Sequence, residues 1–267
     1  MKNKLLFLLV FVIIFTSCEK QNPTINVDEK IFVNTKVPAA KPLRYTICHY
    51  DTLSGLSTKI VIDQSEWPEH QSHGDLLGAC SEVLTTICEQ DWMIKNLDVS
   101  TYSDGTPIPE VQDYNEWATL TTGAWCYYEN NSENGTVYGK LYNWYAVNDP
   151  RGLAPAGWHI PSNEEWAVLI NCLGGDAVAG YAMTERGRKH WIGGIDGATN
   201  SSGFTALPSG IRYTLGAFDW LGERAFWWSS NPADAPNNWA WECNLVGQVY
   251  RDIDDKLFGF AVRCVRN

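Results

Sequence analysis

The chain has 267 residues and a formal net charge of -11, with 20 Lys and Arg against 31 Asp and Glu. This acidic balance argues against nucleic acid and against anionic lipid headgroups as partners, because both are bound chiefly through basic side chains. Thirteen Trp and twelve Tyr beside only three Met favour a binding protein, since aromatic rings fill β-rich cores and also stack on sugars and peptides.

The first residues predict export to the cell envelope. Lys2 and Lys4 precede an apolar run over residues 5–15 that is too short to span a bilayer, and small residues follow it. The string FTSC, which ends at Cys18, resembles the lipobox of bacterial lipoproteins, in which the signal peptide is cut before a cysteine that is then acylated. This resemblance implies a signal peptide over residues 1–17 and an acylated Cys18 inserted in a lipid bilayer, at the outer membrane or cell surface. The alternatives are an ordinary secretory signal with an incidental cysteine and an uncleaved membrane helix.

A tether and a small module come next. Residues 18–43 are polar and interrupted by proline, a pattern typical of a flexible linker. Residues 44–81 begin with RYTICHY (44–50) and STKIVID (57–63), whose alternation predicts two short strands. The module ends on PEHQSHGDLLGAC (68–80). It looks like a short Cys-His module of other exported bacterial proteins, in which CH is followed by HxxHGDxxGxC.

This module gathers side chains that bind metals. It holds three of the chain's five histidines, and these lie near two cysteines and an aspartate of the same motif, which gives the set Cys48, His49, His70, His73, Asp75 and Cys80. Two histidines three residues apart can place both imidazoles on one side of a turn, where thiolates can complete a tetrahedral zinc site. The competing interpretation is a Cys48–Cys80 disulfide with structural histidines, as an oxidising compartment favours. A third combines that disulfide with a metal held by the histidines and Asp75.

Residues 83–267 predict a larger α+β domain of short, mostly antiparallel strands and few helices. The clearest helix begins at Ser162, because Glu165 three residues later completes a capping box and apolar residues follow at helical spacing. Gly174 and Gly175 end it. Aromatic and β-branched stretches such as FWWSS (226–230) predict strands.

Seven ordered strings in this region carry a family resemblance. They are QDWMIKNL (90–97), YSDGTPIP (102–109), YGKLYNWYAVNDPRGL (138–153), GWHIPSNEEW (157–166), SGFTALPSGIR (202–212), FWWSS (226–230) and GFAVRCV (259–265). Together they closely resemble the Fibrobacter succinogenes major paralogous domain, which is abundant in surface and secreted proteins of Bacteroidetes and Fibrobacteres. The resemblance implies a C-type lectin-like fold, more distantly related to the formylglycine-generating enzyme domain, and a cell-surface setting.

Two departures from these relatives affect the expected sites. Relatives often have a cysteine where this chain has Ala154, so the resemblance leaves Cys243 and Cys172 as candidate disulfide partners of Cys264. We expect Cys243 and Cys264 to be structural rather than the reactive pair of a formylglycine-generating enzyme. The triplets that ligate calcium in classical C-type lectins do not occur, so no calcium-bridged sugar site is expected.

The sequence lacks the usual signatures of catalysis. It contains no GxSxG elbow, no HExxH helix and no phosphate-binding glycine loop. Glu164 and Glu165 are explained by the start of the helix, and His159 by a structural role. We therefore expect no enzymatic activity and no cofactor other than a zinc ion in the Cys-His module.

The predicted ligand surface is the irregular segment from Tyr213 to Trp241, where Trp and Asn alternate with turns. Exposed rings beside amides and carboxylates recognise sugars, and the candidates are Trp220, Asp234, Asn237, Asn238 and Trp239. The sequence thus predicts a lipid-anchored, non-catalytic envelope protein that binds an extracellular glycan or protein in adhesion or substrate capture. The alternatives are a formylglycine-generating or other cryptic enzyme and a purely structural envelope protein.

Overall fold

The computed structural model describes residues 42–51, 56–233, 237–244 and 247–267. Residues Pro42–Asn267 form one compact unit. The predicted signal peptide, the acylated Cys18 and most of the tether lie outside the described residues, as do the side chains of residues 56, 82 and 237–239. Within the part that is described, no helix has the length and apolar character needed to cross a membrane.

The fold is α+β, with many short strands and few, short helices. The strands are β1 (Arg44–Asp51), β2 (Leu56–Asp63), β3 (Leu76–Leu77), β4 (Leu84–Ile87), β5 (Gln90–Met93), β6 (Trp125–Cys126), β7 (Leu141–Tyr142), β8 (Trp158–His159), β9 (Ser209–Arg212), β10 (Phe218–Leu221), β11 (Ala225–Pro232), β12 (Asn237–Cys243), β13 (Val249–Asp255) and β14 (Val265–Arg266). The helices are α1 (Trp67–Ser72), α2 (Cys80–Val83), α3 (Tyr114–Trp117), α4 (Ser132–Tyr138), α5 (Trp144–Val147), α6 (Asn163–Cys172) and α7 (Ala179–Met183).

The strands form several small antiparallel sheets. The first has the order β2-β1-β3 and belongs to the Cys-His module. A four-stranded sheet, β4-β5-β14-β8, joins both ends of the larger domain, and β11-β12-β13 forms a third sheet. In the four-stranded sheet Val265 pairs with both Trp92 and His159. The C-terminal strand is therefore an inner strand of this sheet.

The two local sequence patterns are confirmed. RYTICHY and STKIVID form the β1–β2 hairpin, in which Ile47 pairs with Ile60. Helix α6 has Ser162 as its N-cap, and the reciprocal capping box with Glu165 is present. Both signals are local, since they depend on side-chain alternation and on hydrogen bonds between residues three apart.

Tryptophans fill the core, as the composition suggests. The rings of Trp166 and Trp92 lie 4.9 Å apart, and those of Trp166 and Trp227 lie 5.7 Å apart. Trp227, Trp228 and Trp241 are buried. Many of the chain's aromatic residues therefore lie in the core.

Arg212 and Arg263 are buried and have no carboxylate partner among the described residues. Arg212 donates to four backbone carbonyl groups, including Val111 O at 2.5 Å and Gln112 O at 2.9 Å. Arg263 donates to Met93 O and Phe204 O at 2.9 and 2.6 Å and to Asn96 Oδ1. Each guanidinium thus connects backbone segments far apart in the sequence. Burial lowers the pKa of Arg263 to about 9, so the group is still protonated at neutral pH.

The expected C-terminal disulfide is wrong. Cys172 pairs with Cys88, whereas Cys243 and Cys264 are buried free thiols, like Cys126. The reason is their separation into different parts of the core: Cys243 packs with Trp166 and its neighbours, and Cys264 packs in a second hydrophobic cluster. Burial raises the pKa of Cys243 to about 11 and that of Cys264 to about 12, which leaves both thiols protonated and unreactive.

Candidate metal centre

The histidines of the Cys-His module are brought together by a strand and a short helix. His49 lies on β1, next to Cys48. His70 lies on α1, and His73 is the C-cap residue of that helix. The chain then turns back, because Asp75 N donates to His70 O at 3.2 Å.

This turn requires glycine at position 74. Gly74 has φ +92, in the left-handed region. A Cβ atom at that position would lie 2.5 Å from the carbonyl oxygen of Ala156, which leaves no room for a side chain. The HGD string therefore forms a tight turn at Gly74, which brings Asp75 back toward His70.

The carboxylate of Asp75 is the centre of the cluster. Its side chain is fully buried, and Oδ2 lies 2.8 Å from His49 Nδ1 and 2.7 Å from His70 Nδ1. His73 Nδ1 lies 3.6 Å from Oδ1, which also accepts a hydrogen bond from Tyr50 N at 2.8 Å. Three imidazoles from two elements thus surround one carboxylate.

The three rings are spaced as metal ligands would be. Their centres are 5.3 Å apart for His49 and His70, 5.7 Å for His49 and His73, and 5.4 Å for His70 and His73. In a tetrahedral zinc site with Zn–N bonds of about 2.0–2.1 Å, the centres of coordinating imidazoles lie roughly 5 Å apart. One candidate ligand atom from each of the four residues falls within 4.8 Å of the others.

Asp75 is ionised despite its burial. Desolvation opposes the charge, but hydrogen bonds from His49, Tyr50 N and His70 outweigh it and hold the pKa below the ordinary value of 3.8. A lowered folded-state pKa means that the ionised group stabilises the fold above its unfolded-state pKa. That contribution is lost as the pH falls through the folded-state pKa.

The two cysteines of the module form a disulfide. Cys48 and Cys80 are bonded, with Cα atoms 4.6 Å apart. Thiolates are therefore not available as ligands here, and the candidate donors reduce to His49, His70, His73 and Asp75. The disulfide ties β1, which carries His49, to the residues just beyond Asp75, so it holds both sides of the cluster together.

The module is packed against the larger domain through the same turn. Trp158 Nε1 donates to Gly74 O at 2.9 Å. Tyr50, whose backbone N–H holds the carboxylate, lies under the guanidinium of Arg266 at 4.2 Å. The contribution of Tyr50 was not evident from the sequence, because a backbone donor can be any residue type and leaves no side-chain signal.

The expected sugar-binding surface is only partly described. Trp220 is half-buried, donates from Nε1 to Tyr213 Oη at 3.1 Å and lies 4.2 Å under the Arg224 guanidinium. Asp234 lies outside the described residues. Asn237, Asn238 and Trp239 have their backbone in β12, but their side chains lie outside the description. Trp220 is thus more enclosed than expected for a freely exposed platform.

Comparison with known proteins identifies a family for the larger domain. The model of the Fibrobacter succinogenes major domain (Fib_succ_major) matches residues 85–266. No curated protein and no solved structure matches the chain. The matched range begins after Cys80, so the cluster of histidines lies outside it.

Proposed function

We propose that the Cys-His module binds a zinc ion through His49, His70, His73 and Asp75. The chain belongs to the Fibrobacter succinogenes major domain family through residues 85–266, and this module precedes that range. The observation that carries the proposal is the convergence of three imidazoles on one buried, ionised carboxylate. Imidazole nitrogen and carboxylate oxygen are zinc ligands, and they also suit other late first-row divalent metals.

The donor set supports a structural role for the metal. Four protein ligands fill a tetrahedral zinc site, whereas hydrolytic sites keep one position open for water. Asp75 would give Oδ2 to the ion while Tyr50 N continues to hold Oδ1, which is the kind of outer contact that orients a ligand. The metal would connect β1 to the end of α1 and stabilise the module.

The test is zinc binding by the full-length protein after chelator treatment and dialysis. We expect one zinc ion per chain and a rise in melting temperature on zinc addition, because a ligand that binds only the folded state stabilises it. His70→Ala should weaken zinc binding by about 10-fold to 100-fold or more. Affinity should also fall as the pH is lowered, since imidazole ligands must be unprotonated.

His190→Ala is the matched control. His190 is also paired with a carboxylate, Glu185, with Nδ1 2.8 Å from Oε2, but it lies outside the cluster. Zinc affinity should be unchanged in this variant. Absence of bound zinc in the wild type, or an equal loss of affinity in His190→Ala, would contradict the proposal.

A second candidate function is binding of an extracellular glycan or protein. In this case the chain is a non-catalytic, lipid-anchored envelope protein that displays the binding surface. The lipid anchor at Cys18 is supported by the lipobox-like N-terminus. The binding surface is supported by the backbone of Trp220, which has φ +64. Such strained conformations in non-glycine residues concentrate at functional sites.

Probing an array of glycans and extracellular proteins with the full-length protein tests this second function. Trp220→Ala should reduce retention on a responsive ligand by about tenfold or more, since loss of an aromatic contact typically has such an effect. Trp67→Ala is the control, because Trp67 is also half-buried but lies in the Cys-His module, in contact with Tyr45. Equal retention of Trp220→Ala and wild type would remove Trp220 from the proposed surface.

A further inference from the structure

Basic side chains are concentrated in the loop that follows α7. Arg186, Arg188 and Lys189 stand within four residues, and no acidic residue occurs from position 186 to position 195. All three basic residues are exposed. In a chain with a formal net charge of -11, residues 186–189 therefore form a locally positive surface, which we call the basic loop.

The cations of the basic loop are not neutralised by the protein. None of the three has an ion pair or a hydrogen bond from its side chain to any residue that the structure describes. Glu185, the acid next to the loop, is instead paired with His190, whose Nδ1 lies 2.8 Å from Oε2. Three positive side chains thus face solvent without a protein partner.

The loop is nevertheless anchored to the fold. Trp191, two residues after Lys189, is 1% exposed, and its Nε1 donates to Ala206 O at 3.1 Å. A Cβ atom at Gly194 would lie 2.7 Å from Cγ of Arg188, so the stem of Arg188 packs across this glycine. An anchored loop loses less conformational entropy on binding than a free one.

The middle of the loop points into open space. A Cβ atom at Gly187 or at Gly193 would meet no atom within 4 Å. Small molecules are usually bound in clefts that cover most of their surface, so a projecting loop is poorly suited to them. A polymer with repeated charges can contact several cations at once and gains affinity from their number.

The charge of the whole chain favours a linear polyanion over a membrane. An anionic bilayer is a plane, so it would face the acidic residues around the loop as well as the loop itself. A linear chain can contact the loop alone, and salt screens acids that lie more than about 10 Å away. Arginine also suits carboxylates and similar oxyanions, because its guanidinium can donate two parallel hydrogen bonds to them.

The surroundings of the loop favour a sugar chain over a nucleic acid. Proteins that bind single-stranded nucleic acids combine basic grooves with exposed aromatic rings on which bases stack. The only Trp, Tyr or Phe in residues 185–195 is Trp191, and its ring is buried. The loop therefore offers charge without a stacking surface.

We propose that the basic loop binds an acidic polysaccharide, with Arg186, Arg188 and Lys189 contacting its carboxylate or sulfate groups. The loop contains none of the zinc ligands and does not include Trp220. The proposal therefore stands whether or not the two proposed functions above hold.

The experiment measures binding of the full-length protein to polygalacturonate and to dextran sulfate. Dextran is the neutral comparator, since it has the same sugar backbone as dextran sulfate. At least one acidic polymer should bind, and dextran should not. Raising the salt concentration from about 50 mM to about 200 mM should weaken binding by roughly tenfold, as expected when about three cations displace counterions from a linear polyanion.

A pair of double variants tests the residues. Arg186→Gln with Lys189→Gln should weaken polysaccharide binding by about tenfold or more, because two of the three cations are lost. Lys59→Gln with Lys95→Gln is the matched control, since it removes the same charge from two exposed lysines outside the loop. This control should bind like the wild type. All four residues are exposed, so both variants should keep the wild-type melting temperature.

Three results would overturn the proposal. The first is the absence of binding to both acidic polymers. The second is equal affinity of the two double variants, which would mean that the loop has no special part in binding. The third is tighter binding to single-stranded DNA, or to anionic over neutral vesicles, than to either acidic polysaccharide, which would assign the loop to another class of partner.

Discussion

Replacing Arg263 by Met is expected to lower the free energy of unfolding by about 3–5 kcal/mol, because it leaves buried acceptors without a donor. The guanidinium is 1% exposed and holds the carbonyl oxygens of Met93 and Phe204. Replacing a whole buried ion pair by apolar groups can be nearly neutral, but here the partners are backbone groups that remain in place. Asn96 Oδ1 would still accept a hydrogen bond from Trp227 Nε1 at 2.9 Å. The carbonyl oxygens of Met93 and Phe204 are therefore the acceptors that lose a donor.

Denaturant unfolding of wild type and Arg263→Met measures this loss. Arg151→Met is the control, since Arg151 is a more exposed arginine with a surface ion pair to Asp149, and such pairs are worth about 0–1 kcal/mol. A loss in Arg263→Met as small as that in the control would show that the two carbonyls find other donors. The same reasoning applies to Arg212, which is fully buried and donates to backbone carbonyl groups.

Replacing both Cys48 and Cys80 by Ala is expected to cost about 3–4 kcal/mol of unfolding free energy, as loop-closure entropy predicts for a loop of this length. The disulfide spans 32 residues, and the unfolded chain gains freedom when it is removed. The variant should also bind zinc more weakly, because β1 and the turn at Asp75 are no longer held together. Unfolding in the presence of a chelator measures the change in unfolding free energy without zinc, and zinc titration measures the change in zinc affinity.

The Cys88–Cys172 disulfide is the control for this pair. It closes a longer loop, with a separation of 84 residues, so its removal should cost about 4–5 kcal/mol. Because neither cysteine belongs to the Cys-His module, zinc affinity should be unchanged. Full zinc affinity in the Cys48→Ala, Cys80→Ala variant would show that the cluster forms without its disulfide.

The parts of the fold that local patterns specify were predictable. Helix α6 follows from the capping box of Ser162 and Glu165, and the β1–β2 hairpin follows from alternation. The family resemblance named the family, which the match over residues 85–266 confirms. The Cys48–Cys80 disulfide was one of the interpretations that the sequence left open. The spacing of the two cysteines fits both a disulfide and a zinc site with thiolate ligands.

What was missed depends on contacts between distant residues. Arginine is mostly a surface residue, so the sequence gave no sign that Arg212 and Arg263 are buried. Cys88 and Cys172 are far apart in sequence, and their pairing depends on how α6 packs on the strands. The burial of Arg266 beside Tyr50 and Trp158 likewise appears only once both rings have been placed near it.

The inner position of β14 has a consequence for the order in which the protein can fold. Because Val265 pairs with both Trp92 and His159, β5 and β8 have no shared neighbour until residue 265 is available to pair. Until then, two strand edges with unpaired backbone groups are open, and such edges invite pairing with other chains. The four-stranded sheet therefore closes only when β14 is available to pair.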